Sequence, residues 1–248
     1  MIPLRDANPT RRRPVVTYAL IAACIAVFAL ELWIQVTDGE PGLTRFFLSF
    51  GAVPDQLTGA AAGATGGPEG ARGSLGALTL ITSQFLHGGW LHIAGNMLYL
   101  WIFGNNVEDR FGRLPFLAFY LLGGVVAGLS QVAIDPSSSS PLIGASGAIA
   151  AVLGAYVVLY PRARVLSLVF LGFFYQVITI PAVFVLVFWF VLQLLNGLMA
   201  IGPGVANGGV AVFAHIGGFV AGAIVGLFVR AVGSGGRSIP PPGRFGVG

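Results

Sequence analysis

Six apolar runs, each about as long as a bilayer is thick, limit what this chain can fold into: about Val15 to Val36, Gly88 to Val107, Leu114 to Ile134, Leu142 to Tyr160, Ile178 to Ile201 and Val210 to Val232. A hydrocarbon layer of about 30 Å is crossed by roughly 20 helical residues rising about 1.5 Å each, so every run predicts a membrane-spanning helix. Barrel strands are excluded, because they alternate apolar and polar positions and these runs do not. Composition agrees: 56% of residues are hydrophobic, 9% are charged and mean hydropathy is +0.86, far from a water-soluble domain. The expected fold class is an all-α polytopic membrane protein with six transmembrane helices.

Charge predicts the orientation. The net charge of +4 and pI near 9.7 would fit a nucleic-acid partner, but the basic residues are all Arg and cluster at the ends of the apolar runs. They read as topology signals, and no nucleic acid is expected. Arg5, Arg11, Arg12 and Arg13 place the N-terminus in the cytoplasm. Six spans then put Arg110, Arg113, Arg162, Arg164, Arg230, Arg237 and Arg244 on the same side, leaving Arg45 and Arg72 outside.

The predicted organisation is a cytoplasmic N-terminal tail at 1–14, a six-helix membrane domain at 15–232 with a long extracytoplasmic first loop at 37–87, and a flexible cytoplasmic tail at 233–248. The first run has the length of an uncleaved span rather than a signal peptide. Within the first loop, Phe46 to Val53 is expected on the membrane surface and the Gly/Ala-rich stretch at Gly59 to Gly76 to be flexible. Val165 to Ala200 has no charge and is long enough for two spans. That division would strand the last arginines outside and put His215 on the face opposite Ser146. Val165 to Tyr175 therefore reads as an interfacial or partly inserted loop, with Gln176 and Pro181 marking entry into the fifth span. Cys24 is the single cysteine, so no intrachain disulfide forms.

The chemistry lies where polar residues interrupt the runs. Polar side chains at membrane depth are costly, which makes Ser146 in Gly144-Ala145-Ser146-Gly147 and His215 in Ala214-His215-Ile216-Gly217-Gly218 a candidate nucleophile and base. The second, fourth and sixth spans run in one direction and bring His92, Asn96, Ser146 and His215 to similar depth, roughly 6 to 12 Å below the outer surface by helix rise. His92 and Asn96 are spaced i, i+4 and share a helix face. With the Ser146 backbone N–H they are candidate oxyanion donors. Gly218, Gly222 and Gly226 match Ser146, Ala150 and Gly154 in four-residue spacing, which lets two helices approach closely. Asp6, Asp38, Asp55, Asp109 and Asp135 all fall in loops or termini, so the reading is a Ser-His dyad without a third member. His87 reads as structural, pointing about 140° from His92 on an ideal helix. Glu31 reads as reaching headgroups from the outer end of the first span, and Glu108 as anchoring a loop through nearby arginines. No His-Glu-x-x-His zinc motif and no pair of intramembrane aspartates is found, and no metal or cofactor is expected. A channel or transporter would need charged residues and broken helices that the runs lack.

At these residues the chain resembles the rhomboid family of intramembrane serine proteases. The resemblance rests on His92-Ile93-Ala94-Gly95-Asn96, Gly144-Ala145-Ser146-Gly147 and Ala214-His215-Ile216-Gly217-Gly218 leading into Gly222. Asn8-Pro9-Thr10-Arg11-Arg12, Glu108 with Arg110-Phe111-Gly112, and Tyr160-Pro161-Arg162-Ala163-Arg164 look like bacterial members. It implies a six-helix rhomboid bundle with both termini cytoplasmic, in a bacterial inner membrane. Ser146 is then the nucleophile, His215 the general base, and His92, Asn96 and the Ser146 N–H the oxyanion hole. The implied partners are the lipid bilayer and transmembrane protein substrates, cleaved near the outer face. The fifth span, with Phe184, Phe188, Trp189 and Phe190, is the expected lateral gate. Many rhomboids have an aromatic one turn after the nucleophile that stacks on the histidine; this chain has Ala150, and Phe213, Phe219 or an aromatic of another span is expected to substitute. The alternative is a non-catalytic rhomboid-like protein that binds or escorts transmembrane clients.

Overall fold

A computed structural model of the chain describes residues 2–59, 75–171, 174–200 and 211–233. The expectations for the glycine-rich part of the first loop at 60–74 and for the tail after residue 233 fall outside these residues. The described chain is mostly helical. A short strand β1 (Ile2–Asp6) leads to the long helix α1 (Val15–Phe50), followed by α2 (Pro54–Thr58) and the one-turn α3 (Thr79–Thr82). Helix α4 (Trp90–Tyr99) passes through a wider π turn at Leu100–Gly104 into α5 (Asn105–Phe111), and α6 (Arg113–Ile134) and α7 (Ser146–Leu159) follow. A hairpin of β2 (Arg164–Leu171) and β3 (Phe174–Pro181) then precedes α8 (Ala182–Ala200) and α9 (Val212–Gly233).

Three of these helices are long and apolar enough to cross a membrane: Val15–Phe50, Arg113–Ile134 and Val212–Val232. Ser146–Leu159 and Ala182–Leu192 are apolar but shorter. The run at 88–107 lies on the continuous α4–π–α5 path. Helix α1, at about 54 Å by helix rise, exceeds a bilayer. It is divided where Gly39 adopts φ 67° just before Pro41, a conformation open to glycine, with a proline unable to continue the hydrogen-bond ladder.

Helix α7 is the centre of the molecule. Ala148 to Tyr156 are all buried, which fits a helix apolar on every face. Its small residues let α9 lie against it backbone to backbone. A Cβ on Gly222 would run into the backbone of Ala151, and one on Gly154 into the carbonyl of Phe219. The four-residue glycine spacing read from the sequence is thus the α7–α9 contact.

The chain is not all-α, which corrects the expected fold class. β1, β2 and β3 form an antiparallel sheet in that order, with Ile2 opposite Leu168, Leu168 opposite Val177, and Val165 opposite Ile180. The segment expected as an interfacial loop is the β2–β3 hairpin, and part of the expected tail is β1. The reason is local: both hairpin runs are rich in β-branched and aromatic residues, and two such runs two residues apart favour a hairpin over a helix. Asp6, at the end of β1, turns inward and accepts hydrogen bonds from Tyr156 Oη at 2.8 Å and Asn106 Nδ2 at 2.6 Å, tying the strand to α7 and α5.

Two acidic residues also differ from expectation. Glu108, read as anchoring a loop through arginines, binds a helix start: its carboxylate accepts from the backbone N–H of Val16 at 3.0 Å and of Thr17 at 2.8 Å, and from Thr17 Oγ1 at 2.7 Å. It thereby caps the N-terminus of α1, where free N–H groups and the helix dipole favour an anion. Glu31 is buried at 2% exposure rather than turned toward headgroups, and accepts from the backbone N–H of His87.

Candidate active site

Ser146 is the first residue of α7, so its backbone N–H has no acceptor within the helix and points out of the helix start. Gly144, two residues earlier, holds φ 121°, and its N–H bonds to the Ser83 carbonyl at 2.9 Å. That turn is what delivers a serine onto the helix tip. His215 lies in the first turn of α9. Gln131 of α6 accepts the Phe213 N–H at 3.1 Å and fixes where that turn begins. The close α7–α9 packing then brings His215 Nε2 to 2.6 Å from Ser146 Oγ. His215 is 7% exposed, so the pair meets in a largely water-excluded setting.

His92 approaches from α4. The Gly88 N–H donates to His92 Nδ1 at 3.2 Å. In a neutral imidazole whose Nδ1 accepts, the proton resides on Nε2, so that nitrogen is a donor. It faces Gly144: a Cβ there would lie 2.6 Å from it. Glycine at 144 therefore serves both the positive φ and this approach. Asn96, one turn further along α4, is buried, and its Nδ2 has no hydrogen-bond partner. An unsatisfied buried donor costs about 1 to 3 kcal/mol; among the described residues Asp55, Gln84, His87 and Tyr120 also have a buried polar atom without a partner. The arrangement offers a hydroxyl hydrogen-bonded to a neutral base, with N–H donors on α4 and at the α7 tip.

A family profile described as the rhomboid domain matches residues 75–232. The chain belongs to the rhomboid family. It is 34% identical over 152 residues to the rhomboid protease GluP of Bacillus subtilis, covering 60% of this chain and 26% of that one. It is 32% identical over 148 residues to RHOMBOID-like protein 5 of Arabidopsis thaliana, covering 60% and 42% respectively. With the mitochondrial presenilin-associated rhomboid-like protein A of Danio rerio it shares 35% identity over 89 residues, covering 35% and 23%. The chain thus matches less than half the length of each of these relatives.

Within this rhomboid the question raised by Ala150 has a structural answer. Ala150 is fully buried near Gly218, leaving no room for an aromatic. Trp189 of α8 places its ring beside His215, at 5.7 Å between centroids and a tilt of 42°. Trp189 packs in turn on Phe219, which stacks on Phe190 at 4.5 Å. Of the aromatics read as a gate, Trp189 and Phe190 are therefore partly buried against the core, while Phe184 and Phe188 are exposed.

The helix angle used in reading His87 as structural does not apply, because α4 begins at Trp90; the rings of His87 and His92 meet edge to face at 5.2 Å. The Gly88-Gly89 pair was the available signal, since adjacent glycines mark a break. No sequence pattern pointed to Gln131 or to Glu31 as a partner of this region, because both act on backbone groups that sequence does not display.

Proposed function

We propose that this rhomboid is an intramembrane serine endopeptidase, with six membrane-spanning helices, both termini cytoplasmic, and a Ser146-His215 dyad opening to the extracytoplasmic side. The observation that supports it best is the 2.6 Å contact between His215 Nε2 and Ser146 Oγ. In this reading Ser146 Oγ attacks the scissile carbonyl carbon of a transmembrane substrate while His215 Nε2 takes the hydroxyl proton. The developing oxyanion is held by His92 Nε2–H, Asn96 Nδ2–H and the Ser146 N–H. His215 then returns the proton to the leaving amine, and water, activated by the same histidine, hydrolyses the acyl-enzyme. Trp189 supplies the aromatic wall that steadies His215. The exposed Phe184 and Phe188 face of α8 is the side where a substrate helix enters. We place the protein in a cell membrane, as a multi-pass protein of a bacterial inner membrane; the similarity to the Bacillus protease supports this.

Cleavage of a single-span reporter in liposomes tests the proposal, using wild type, Ser146→Ala and His215→Ala proteins. Wild type is expected to cleave, and both variants to lose cleavage and fluorophosphonate labelling of Ser146. Retained cleavage in Ser146→Ala overturns the mechanism. An inert wild type whose Ser146 resists labelling, while the protein still binds transmembrane clients, favours the escort reading.

A further inference from the structure

We infer that Glu31 is a positioning residue for the oxyanion hole, bracing the turn that sets the tautomer and aim of His92. The inference rests on the reading of His92 as an oxyanion donor. Residues 86–89 lie between the helical turn at Ser83–Phe85 and the start of α4 at Trp90, with Leu86 extended and Gly89 at φ 154°. Such a segment has no helical ladder to satisfy its N–H groups. Two successive amides are taken from different elements. The His87 N–H is accepted by Glu31, with Oε1 at 3.0 Å and Oε2 at 3.4 Å, while the Gly88 N–H is accepted by His92 Nδ1 at 3.2 Å. The first bond fixes the segment to α1; the second transmits that position to the catalytic face of α4.

The His87 ring reinforces the brace. Its Nδ1 lies 3.2 Å from the Phe85 carbonyl, which places the proton on Nδ1, and the ring rests edge-on against that of His92. Releasing His87 from Glu31 frees the segment to move, and the Gly88 N–H with it. His92 then loses what keeps its proton on Nε2, the nitrogen that faces Gly144 two residues before the nucleophile. Burying a carboxylate at 2% exposure for a backbone N–H is expensive unless the bond is needed. At metal sites, partners that orient a ligating imidazole have an effect of about 10- to 100-fold, and a brace acting on His92 through the 86–89 segment is expected to work on that scale.

The test is a double-mutant cycle between Glu31 and His92 in the full-length protein, read as kcat and KM for reporter cleavage in liposomes and as the rate of Ser146 phosphonylation. Glu31→Ala is expected to lower kcat by about 10-fold or more with KM unchanged. In a His92→Ala background it should cost no more than about twofold further, because its effect passes through His92. Glu31→Gln keeps an acceptor oxygen at the same reach and should restore most of the rate, whereas Glu31→Asp is one methylene short and should not. This pair also covers the case in which Glu31→Ala fails to fold, which thermal unfolding in detergent reports. Multiplicative losses in the cycle, or an active Asp variant beside an inactive Gln variant, overturn the role of Glu31. If His92→Ala itself leaves turnover intact, the oxyanion reading has failed first and removes the ground for this one.

Discussion

At the scale of single residues, the candidate site offers N–H donors from two helices. Asn96 keeps a buried amide donor without a partner, and the Ser146 N–H sits at a helix tip. Under the proposed function both would serve the charge that develops during reaction. Replacing Asn96 with Ala should therefore lower kcat by about 10²- to 10³-fold if the amide is an oxyanion donor, while thermal stability holds or rises. A fall in melting temperature with turnover unchanged would instead make Asn96 a packing residue. The pairing of Ser146 with His215 was legible from sequence because a serine and a histidine stand out in lipid-length apolar runs. Glu31 was not, since a glutamate near a helix end looks the same whether it turns to headgroups or inward; only the His87 amide across from it decides.

At the scale of elements, the proposed dyad depends on how closely two helices pack. Gly222 lies against the backbone of Ala151, where any Cβ would collide with main-chain atoms that cannot rotate away. Gly222→Val should push α9 off α7, destabilise the protein by about 1 to 3 kcal/mol or more, and separate His215 from Ser146. Gly95→Ala is the contrast: nothing lies within 4 Å of a Cβ there, so removing a mid-helix glycine should stabilise by about 0.5 to 1 kcal/mol. Thermal unfolding of both variants in detergent checks the pair; equal effects would show that the α7–α9 contact is not the constraint. The spacing of these glycines was readable from sequence because it repeats with the helix period. The β2–β3 hairpin was misread because the absence of charge dominated the argument, although its β-branched and aromatic composition favoured strands.

At the scale of the whole molecule, residues 150 positions apart close the end of the bundle away from the dyad. Asp6 on β1 meets Tyr156, about 15 Å along α7 from Ser146 by helix rise. Asn8 donates to the same phenol at 3.0 Å, and Tyr160 Oη donates to the Asn106 carbonyl at 3.0 Å. Burial raises the Asp6 carboxyl from its ordinary 3.8 to about 6, against the lowering effect of the Tyr156 hydrogen bond. The folded state then holds this proton more tightly than the unfolded chain. The resulting stabilisation is complete below about pH 4 and is lost as pH rises through about 6. Asp6→Asn, which stays neutral, should flatten the pH dependence of the melting temperature between pH 4 and 7; an unchanged slope would assign the titration to another group.

The sequence by itself determined the membrane-embedded helical character, the family, and the candidate nucleophile, base and oxyanion donors. These are written in local patterns: run length against bilayer thickness, four-residue spacing of small residues, and polar groups where solvation is poor. Only the tertiary structure decided which ring stands beside His215, where Glu31 points, and that β1 closes on β2. Those outcomes depend on partners far away in the chain, and a side chain or an edge strand shows no preference until the group opposite it is in place.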